Sequence, residues 1–128
     1  MMNELDNHNL TSDKIIAFQG IPGAYSEMAC KEKFRTLKTL PCPSFEEMIL
    51  SVQENRANLA MVPVENSIAG RVADIHHLLP DSGLFIIDEL FFRVNHMLLG
   101  VKGSKLEDLK EVRSHAQGIA QCRKNIKK

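Results

Sequence analysis

Neither sign of charge is in excess: sixteen Lys and Arg are matched by sixteen Asp and Glu, so the 128-residue chain has no formal net charge. Without a bulk field, nothing draws the chain to nucleic acid or to an anionic membrane surface, and any anion it binds must be caught by a local site. Cysteine is scarce. Cys30, Cys42 and Cys122 are odd in number, show no CxxC spacing and have no histidine at zinc-finger distance, which argues against a disulfide framework or a zinc site and for reduced thiols in a cytoplasm. No apolar run reaches the ~18 residues that a spanning helix needs. Residues 1–13 are polar and mildly acidic with no apolar segment, so they read as a flexible tail and not as a secretory signal or transit peptide. Internal repeats, low-complexity stretches and linkers rich in Gly, Ser or Pro are also missing, so nothing divides the chain into independent domains.

What is present is a βα rhythm. Residues 14–19 form a short apolar run that stops at Gly20-Ile-Pro-Gly23, a tetrapeptide that can neither extend a strand nor sit inside a helix. From Ser26 the period changes, with Met28, Ala29 and Phe34 near one helical face. Residues 37–43 read as a second strand, and Ser44 with Glu47 three residues on is a capping box that opens a helix over 45–55. A buried strand over 58–65 and an amphipathic helix over 68–79, stopped by Pro80, make a third unit. Three βα units in succession imply a parallel sheet.

Beyond Gly83 the apolar run 84–100 is strand-like but longer than one ordinary strand, which suggests a crossing between two sheets. Ser104 with Glu107 predicts a helix through Glu111, residues 112–115 a brief extended piece, and 117–126 a last helix with Lys and Arg at its C-terminal end, as the macrodipole prefers. The expected architecture is α/β and two-lobed: a first lobe over 14–94 with a parallel sheet and flanking helices, and an incomplete second lobe over 95–128 that begins with the crossover.

Three segments carry candidate chemistry. In Gly20-Ile-Pro-Gly23-Ala24-Tyr25-Ser26, free N–H groups at a strand-to-helix turn and the Ser26 hydroxyl suit a carboxylate or phosphate; alternatively the glycines only make a tight turn and Ser26 only caps the helix. The segment is neither a P-loop nor a GxGxxG fingerprint, which disfavours a dinucleotide enzyme. In Val62-Pro-Val-Glu65-Asn66-Ser67-Ile-Ala-Gly70, a carboxylate, an amide and a hydroxyl gather where a parallel strand ends, the ligand edge of open α/β sheets; alternatively Asn66 or Ser67 caps the next helix and Glu65 lies in solvent. Ser114-His115-Ala-Gln117 could bring a hydroxyl, an imidazole and an amide to the same cleft, although a lone histidine is more often a surface or core residue. His76 and His77 lack the i, i+4 spacing of a metal pair, and no metal ligand is assigned. His96, inside the apolar run, reads as a hydrogen-bonded structural residue.

Taken in order, Phe18-Gln-Gly-Ile-Pro-Gly-Ala-Tyr-Ser-Glu, Val62-Pro-Val-Glu-Asn-Ser-Ile-Ala-Gly-Arg-Val, the stretch 89–99 with His96-Met-Leu-Leu, and Ser114-His-Ala-Gln-Gly-Ile-Ala-Gln-Cys resemble the prephenate dehydratase family. The last departs from the family's Ser-His-Pro-Gln-Ala-Leu-Ala-Gln-Cys, with Ala116 in place of proline and Gly118-Ile119 after Gln117, which loosens that loop. The resemblance implies a catalytic domain of two α/β lobes, similar to periplasmic binding proteins, with the active site between them, followed by a regulatory ACT domain. It implies a lyase of phenylalanine biosynthesis that turns prephenate into phenylpyruvate, water and carbon dioxide without cofactor or metal, in an oligomeric cytoplasmic protein. On this reading Gly23, Ala24, Tyr25 and Ser26 bind the anion, Asn66, Ser67 and Gly70 line the same wall, and Ser114, His115 and Gln117 close it. The family's acid is a threonine in a Thr-Arg-Phe motif, but Thr11, Thr36 and Thr39 are the only threonines and none precedes an arginine. His115 is therefore the candidate proton donor, and the chain is expected to be an amino-terminal portion with little activity alone. The rival expectation is a non-catalytic carboxylate-binding or regulatory module.

Overall fold

The computed structural model describes residues 13–68 and 70–126. The expected tail, apart from Asp13, lies outside the described residues. The chain then runs through β1 (Ile15–Gln19), α1 (Tyr25–Lys33), β2 (Lys38–Cys42), α2 (Phe45–Gln53) and β3 (Leu59–Met61), followed by β4 (Glu65–Asn66), β5 (Gly70–Arg71) and α3 (Ala73–Leu78). A 3-10 turn at Leu106–Asp108 and a further helix, α4 (Ala116–Ile126), follow among the described residues.

β1, β2 and β3 form a parallel sheet in the order β2-β1-β3. β1 is central because it is the most apolar of the three, and the period of two along it decides which helix each face receives. Ile16 and Phe18 point to one side, where they pack with Cys30 of α1 and with Leu37. Ala17 points to the other, into a cluster with Met48 and Ile49 of α2 and Ile75 of α3. Helices thus cover both faces of the sheet, the layering that βα units produce. α2 begins as its sequence dictates: the Ser44 hydroxyl accepts from Glu47 N–H at 3.2 Å. Its far end is followed by a tight return in which Asn58 holds Ile15 by two bonds, Ile15 N–H to Asn58 Oδ1 at 2.9 Å and Asn58 N–H to Ile15 O at 2.8 Å.

Three sequence expectations give way. The helix expected over 68–79 is shortened to α3, because Gly70 at φ 79° and an Asn66 side chain that accepts from Ile68 N–H at 2.9 Å turn the chain into the β4-β5 hairpin first. The helix expected from Ser104 to Glu111 shrinks to the 3-10 turn, because the Ser104 hydroxyl donates back to Val101 O at 2.7 Å and does not cap Glu107 N–H. The run 84–100 forms no strand: among the described residues no backbone of 85–100 exchanges a backbone hydrogen bond. Its side chains nonetheless alternate, with Glu89, Phe91, Arg93 and Asn95 exposed and Leu90, Phe92 and Val94 half-buried. Phe85 and Phe91 are 89% and 91% exposed. Apolar pattern alone therefore made this run look like a strand, and what it lacks here is a neighbouring strand to pair with.

Candidate functional site

The sheet order decides where a site can form. From β1 the chain moves out to β2, then crosses back to place β3 on the other side of β1. At such a reversal the connections leave on opposite faces and open a crevice at the carboxyl ends of the strands. The turn after β1 carries Gly20–Ser26, and the segment after β3 carries Val62–Gly70, so two of the three candidate segments emerge side by side at that edge, where Phe18 is paired with Met61.

The first turn is built by two glycines with left-handed backbone, Gly20 at φ 130° and Gly23 at φ 89°. At Gly20 space is also tight, since an added Cβ would lie 3.2 Å from the Ala24 Cβ. Gly20 N–H donates to Cys42 O at 2.9 Å and Ala24 N–H to Ile21 O at 3.0 Å. Helix α1 then starts at Tyr25 with Ala24 as its N-cap, a residue with no side chain to cap it. The first N–H groups of a helix have no intrahelical acceptor and lie at its positive end, and Ser26, half-buried in the first turn, adds a hydroxyl.

The Gly23 N–H is already engaged. It donates to Glu27 Oε2 at 2.7 Å, while Glu27 Oε1 accepts from the Thr39 hydroxyl at 2.9 Å and pairs with Lys31 Nζ at 2.8 Å. These partners, Lys31 first, hold the Glu27 carboxyl down at about 2, the direction expected when hydrogen bonds favour the charged form.

Tyr25 reaches the other way. Its hydroxyl donates to Asn95 O, its ring lies 6.3 Å from that of Phe92, and His96 meets it edge-on at 6.2 Å. His96 Nε2 in turn bonds Gln121 Oε1 of α4 at 2.6 Å, which makes His96 the hydrogen-bonded residue its setting implied. Lys33 at the end of α1 pairs with Asp88 at 2.8 Å. These contacts tie the first turn to the run 88–96 and, through His96, to α4.

In the second segment Asn66 and Gly70 are opposite one another in the β4-β5 hairpin, Ser67 is exposed, and Glu65 pairs with Arg71 in register. Asn66 therefore caps a hairpin turn and not a helix. Ser114, His115 and Gln117 stand at the start of α4 with exposed side chains, and the bond there is local, Gln117 N–H to His115 Nδ1 at 3.4 Å. An added Cβ at Gly118 would meet Ser114 Oγ at 3.1 Å, so the glycine leaves room for that hydroxyl.

Sequence reasoning passed over Glu27, Lys31 and Thr39. A signal was there, since Glu27 is at the third helical position, where the carboxylate of a capping box belongs; without Ser or Thr at position 24 it drew no notice. Among the described residues no group of three or more His, Cys, Asp or Glu side chains is placed to hold a metal, and no helix is long and apolar enough to cross a membrane.

The same stretch of chain matches known proteins. The family model of prephenate dehydratase matches residues 16–128. A bifunctional N-acyl-homoserine lactone acylase/prephenate dehydratase of Komagataeibacter europaeus is 51% identical over 114 residues, 89% of this chain and 41% of that protein. Arogenate dehydratase/prephenate dehydratase 1, chloroplastic, of Arabidopsis thaliana is 45% identical over 107 residues, 84% of this chain and 27% of that protein. Among solved structures, GqqA, described as a novel type of quorum quenching acylase, superposes with a TM-score of 0.75 at 52% identity, covering 89% of this chain and 42% of that one. The chain spans well under half the length of these relatives. It belongs to the prephenate dehydratase family and has that family's α/β, periplasmic-binding-protein-like fold.

Proposed function

We propose that this chain supplies the substrate-anion-binding lobe of a prephenate dehydratase, a carbon–oxygen lyase that converts prephenate to phenylpyruvate, water and carbon dioxide in the cytoplasm. The observation that carries this reading is the turn after β1. An uncapped helix start with Ser26 in its first turn lies at the carboxyl edge of the central strand, beside the segment that follows β3. Prephenate has two carboxylates, and N–H donors fixed in advance hold a dianion without reorganising when it arrives.

The reaction expels the ring carboxylate as carbon dioxide and the ring hydroxyl as water, and aromatisation drives it. The protein's part is to orient the dianion and protonate the departing hydroxyl away from solvent. Tyr25 and Ser26, next to Ala24 and the Gly23 corner whose own N–H groups are engaged, receive one carboxylate; Asn66, Ser67 and Gly70 line the adjoining wall; Ser114, His115 and Gln117 approach from the crossover side, with His115 the candidate donor. His115 is exposed, a poor setting for an acid that must work away from water. A polypeptide of these residues is therefore expected to bind prephenate and to turn it over far below the rate of a complete dehydratase. The exposed apolar run 84–100 favours association with another copy or with further chain.

The test is a prephenate assay for phenylpyruvate beside a calorimetric titration of the same sample. Binding without turnover agrees with the reading and also with its alternative, a carboxylate-binding or regulatory module; adding the remaining lobe in trans separates them, since only a dehydratase lobe gains activity. A sample that neither binds nor is rescued refutes both. A second reading, amide hydrolysis of N-acyl-homoserine lactones, is favoured by the names of the Komagataeibacter relative and of GqqA. It is tested by offering the same sample such a lactone and following release of the fatty acid.

A further inference from the structure

The β1-α1 turn is held in shape by a carboxylate to which the proposed reaction gives no task. Glu27 is only 6% exposed. One of its oxygens takes the Gly23 N–H at 2.7 Å; the other takes the Thr39 hydroxyl of β2 at 2.9 Å and the Lys31 ammonium at 2.8 Å. The corner at Gly23 is otherwise closed by the Ala24 N–H to Ile21 O bond at 3.0 Å, which lies within the turn and does not reach the sheet. It is exposed, an added Cβ there would meet nothing within 4 Å, and its φ of 89° is one of many that glycine visits freely. The preceding corner is tied to the sheet through Gly20 N–H and Cys42 O; the Gly23 corner is tied to it through Glu27 and Thr39.

We propose that Glu27 is the positioning residue of the anion site: it clamps the Gly23 corner to β2, so that the N–H groups opening α1 and the Ser26 hydroxyl face the ligand as one preformed cradle. Lys31 completes the device. A bare carboxylate beside an anion site would repel the incoming carboxylate, and the Lys31 ammonium, one helical turn further on, cancels that charge. Glu27 does not touch the ligand. This inference rests on the reading of the turn as a prephenate site, and the experiment keeps the two apart.

Three variants of the full chain are compared with wild type by calorimetric titration with prephenate, by thermal melting and by amide exchange at Gly23 followed by NMR. Losing a hydrogen bond between a charged group and the backbone, Glu27→Ala should raise the Kd for prephenate roughly ten- to a hundredfold and speed exchange at Gly23. Glu27→Gln keeps an oxygen that can accept from Gly23, so it should stay within about threefold of wild type. Lys31→Ala keeps the clamp and exposes its charge, so it should weaken binding most at low salt. A residue that merely stabilises the helix would lower the melting temperature in Glu27→Ala and leave Kd unchanged, and that result overturns the proposal. So does an equal loss in Glu27→Ala and Glu27→Gln. If wild type itself fails to bind prephenate, the reading of the turn falls. The clamp is then judged on Gly23 alone, and unchanged exchange in a folded Glu27→Ala sinks it.

Discussion

Replacing Phe18 with alanine tests whether the site stands on the core beneath it. Phe18 is fully buried on the central strand, one residue short of the strand's end, and packs with Ile16, Cys30 and Leu37 while Ala24, Phe34, Leu59 and Met61 close over it. An added Cβ at Gly20 would lie 3.9 Å from its ring, so the ring is the floor of the β1-α1 turn. Truncation removes the ring's transfer free energy and leaves a cavity between a helix and a three-stranded sheet that have few ways to collapse into it, and the loss should be about 3–5 kcal/mol. Phe18→Leu keeps most of the volume and should lose less than ~1.5 kcal/mol. Urea titrations followed by far-UV circular dichroism read both, provided the slope with denaturant is the same as in wild type. Should Phe18→Ala unfold the chain outright, the leucine variant still ranks the site. A loss below ~1.5 kcal/mol in Phe18→Ala would refute the claim that this ring organises the α1 side of the sheet.

Acid should also find Glu27. Its carboxyl is held down at about 2 in the folded chain against an ordinary 4.5, so its contribution to stability is complete above about 4.5 and drains away as pH falls toward 2. Acid unfolding of Glu27→Gln should therefore be flatter than that of wild type across that window; parallel curves would exclude the carboxylate as the cause. Ser44→Ala removes the hydroxyl that caps α2 and should lower stability by about 1 kcal/mol in the same urea assay. Among the thiols, burial pushes Cys30 up to about 12 and Cys42 upward as well, so a disulfide reagent at pH 8 should label the half-buried Cys122 first and reach Cys30 only after denaturant is added. Equal labelling rates would contradict the burial.

The βα rhythm was legible because it depends on local facts: Gly20 and Gly23 break the chain, Ser44 and Glu47 announce a helix, and Ile16, Ala17 and Phe18 alternate between two helical layers. The placement of two candidate segments at one sheet edge was legible too, since parallel strands put their turns at the same end. Elsewhere local signals competed and lost. Asn66 and Gly70 favoured a hairpin over the apolar period of a helix, and Ser104 spent its hydroxyl on Val101. The run after Gly83 has the composition of a strand, but a strand exists only with a partner, and composition says nothing of partners. Glu27 was only half legible: its third helical position hints at a capping carboxylate, but its bond to Thr39, twelve residues away on another strand, does not show in the sequence.

A protease would see the molecule as two materials. Cleavage needs several residues of backbone that can be drawn into an extended groove, and the sheet with its helices offers none without opening. The stretch from Phe85 to Gly100 has no backbone-to-backbone bond to surrender, only side-chain ties such as the Tyr25 hydroxyl on Asn95 O and Lys33 on Asp88, and so offers such a length once these let go. Cuts there would need only the local release of those ties, not the unfolding of the sheet. The part before Gly83 would survive as a resistant fragment holding the β1-α1 turn, the hairpin and Glu27 with its three partners, separated from α4 and the histidine before it.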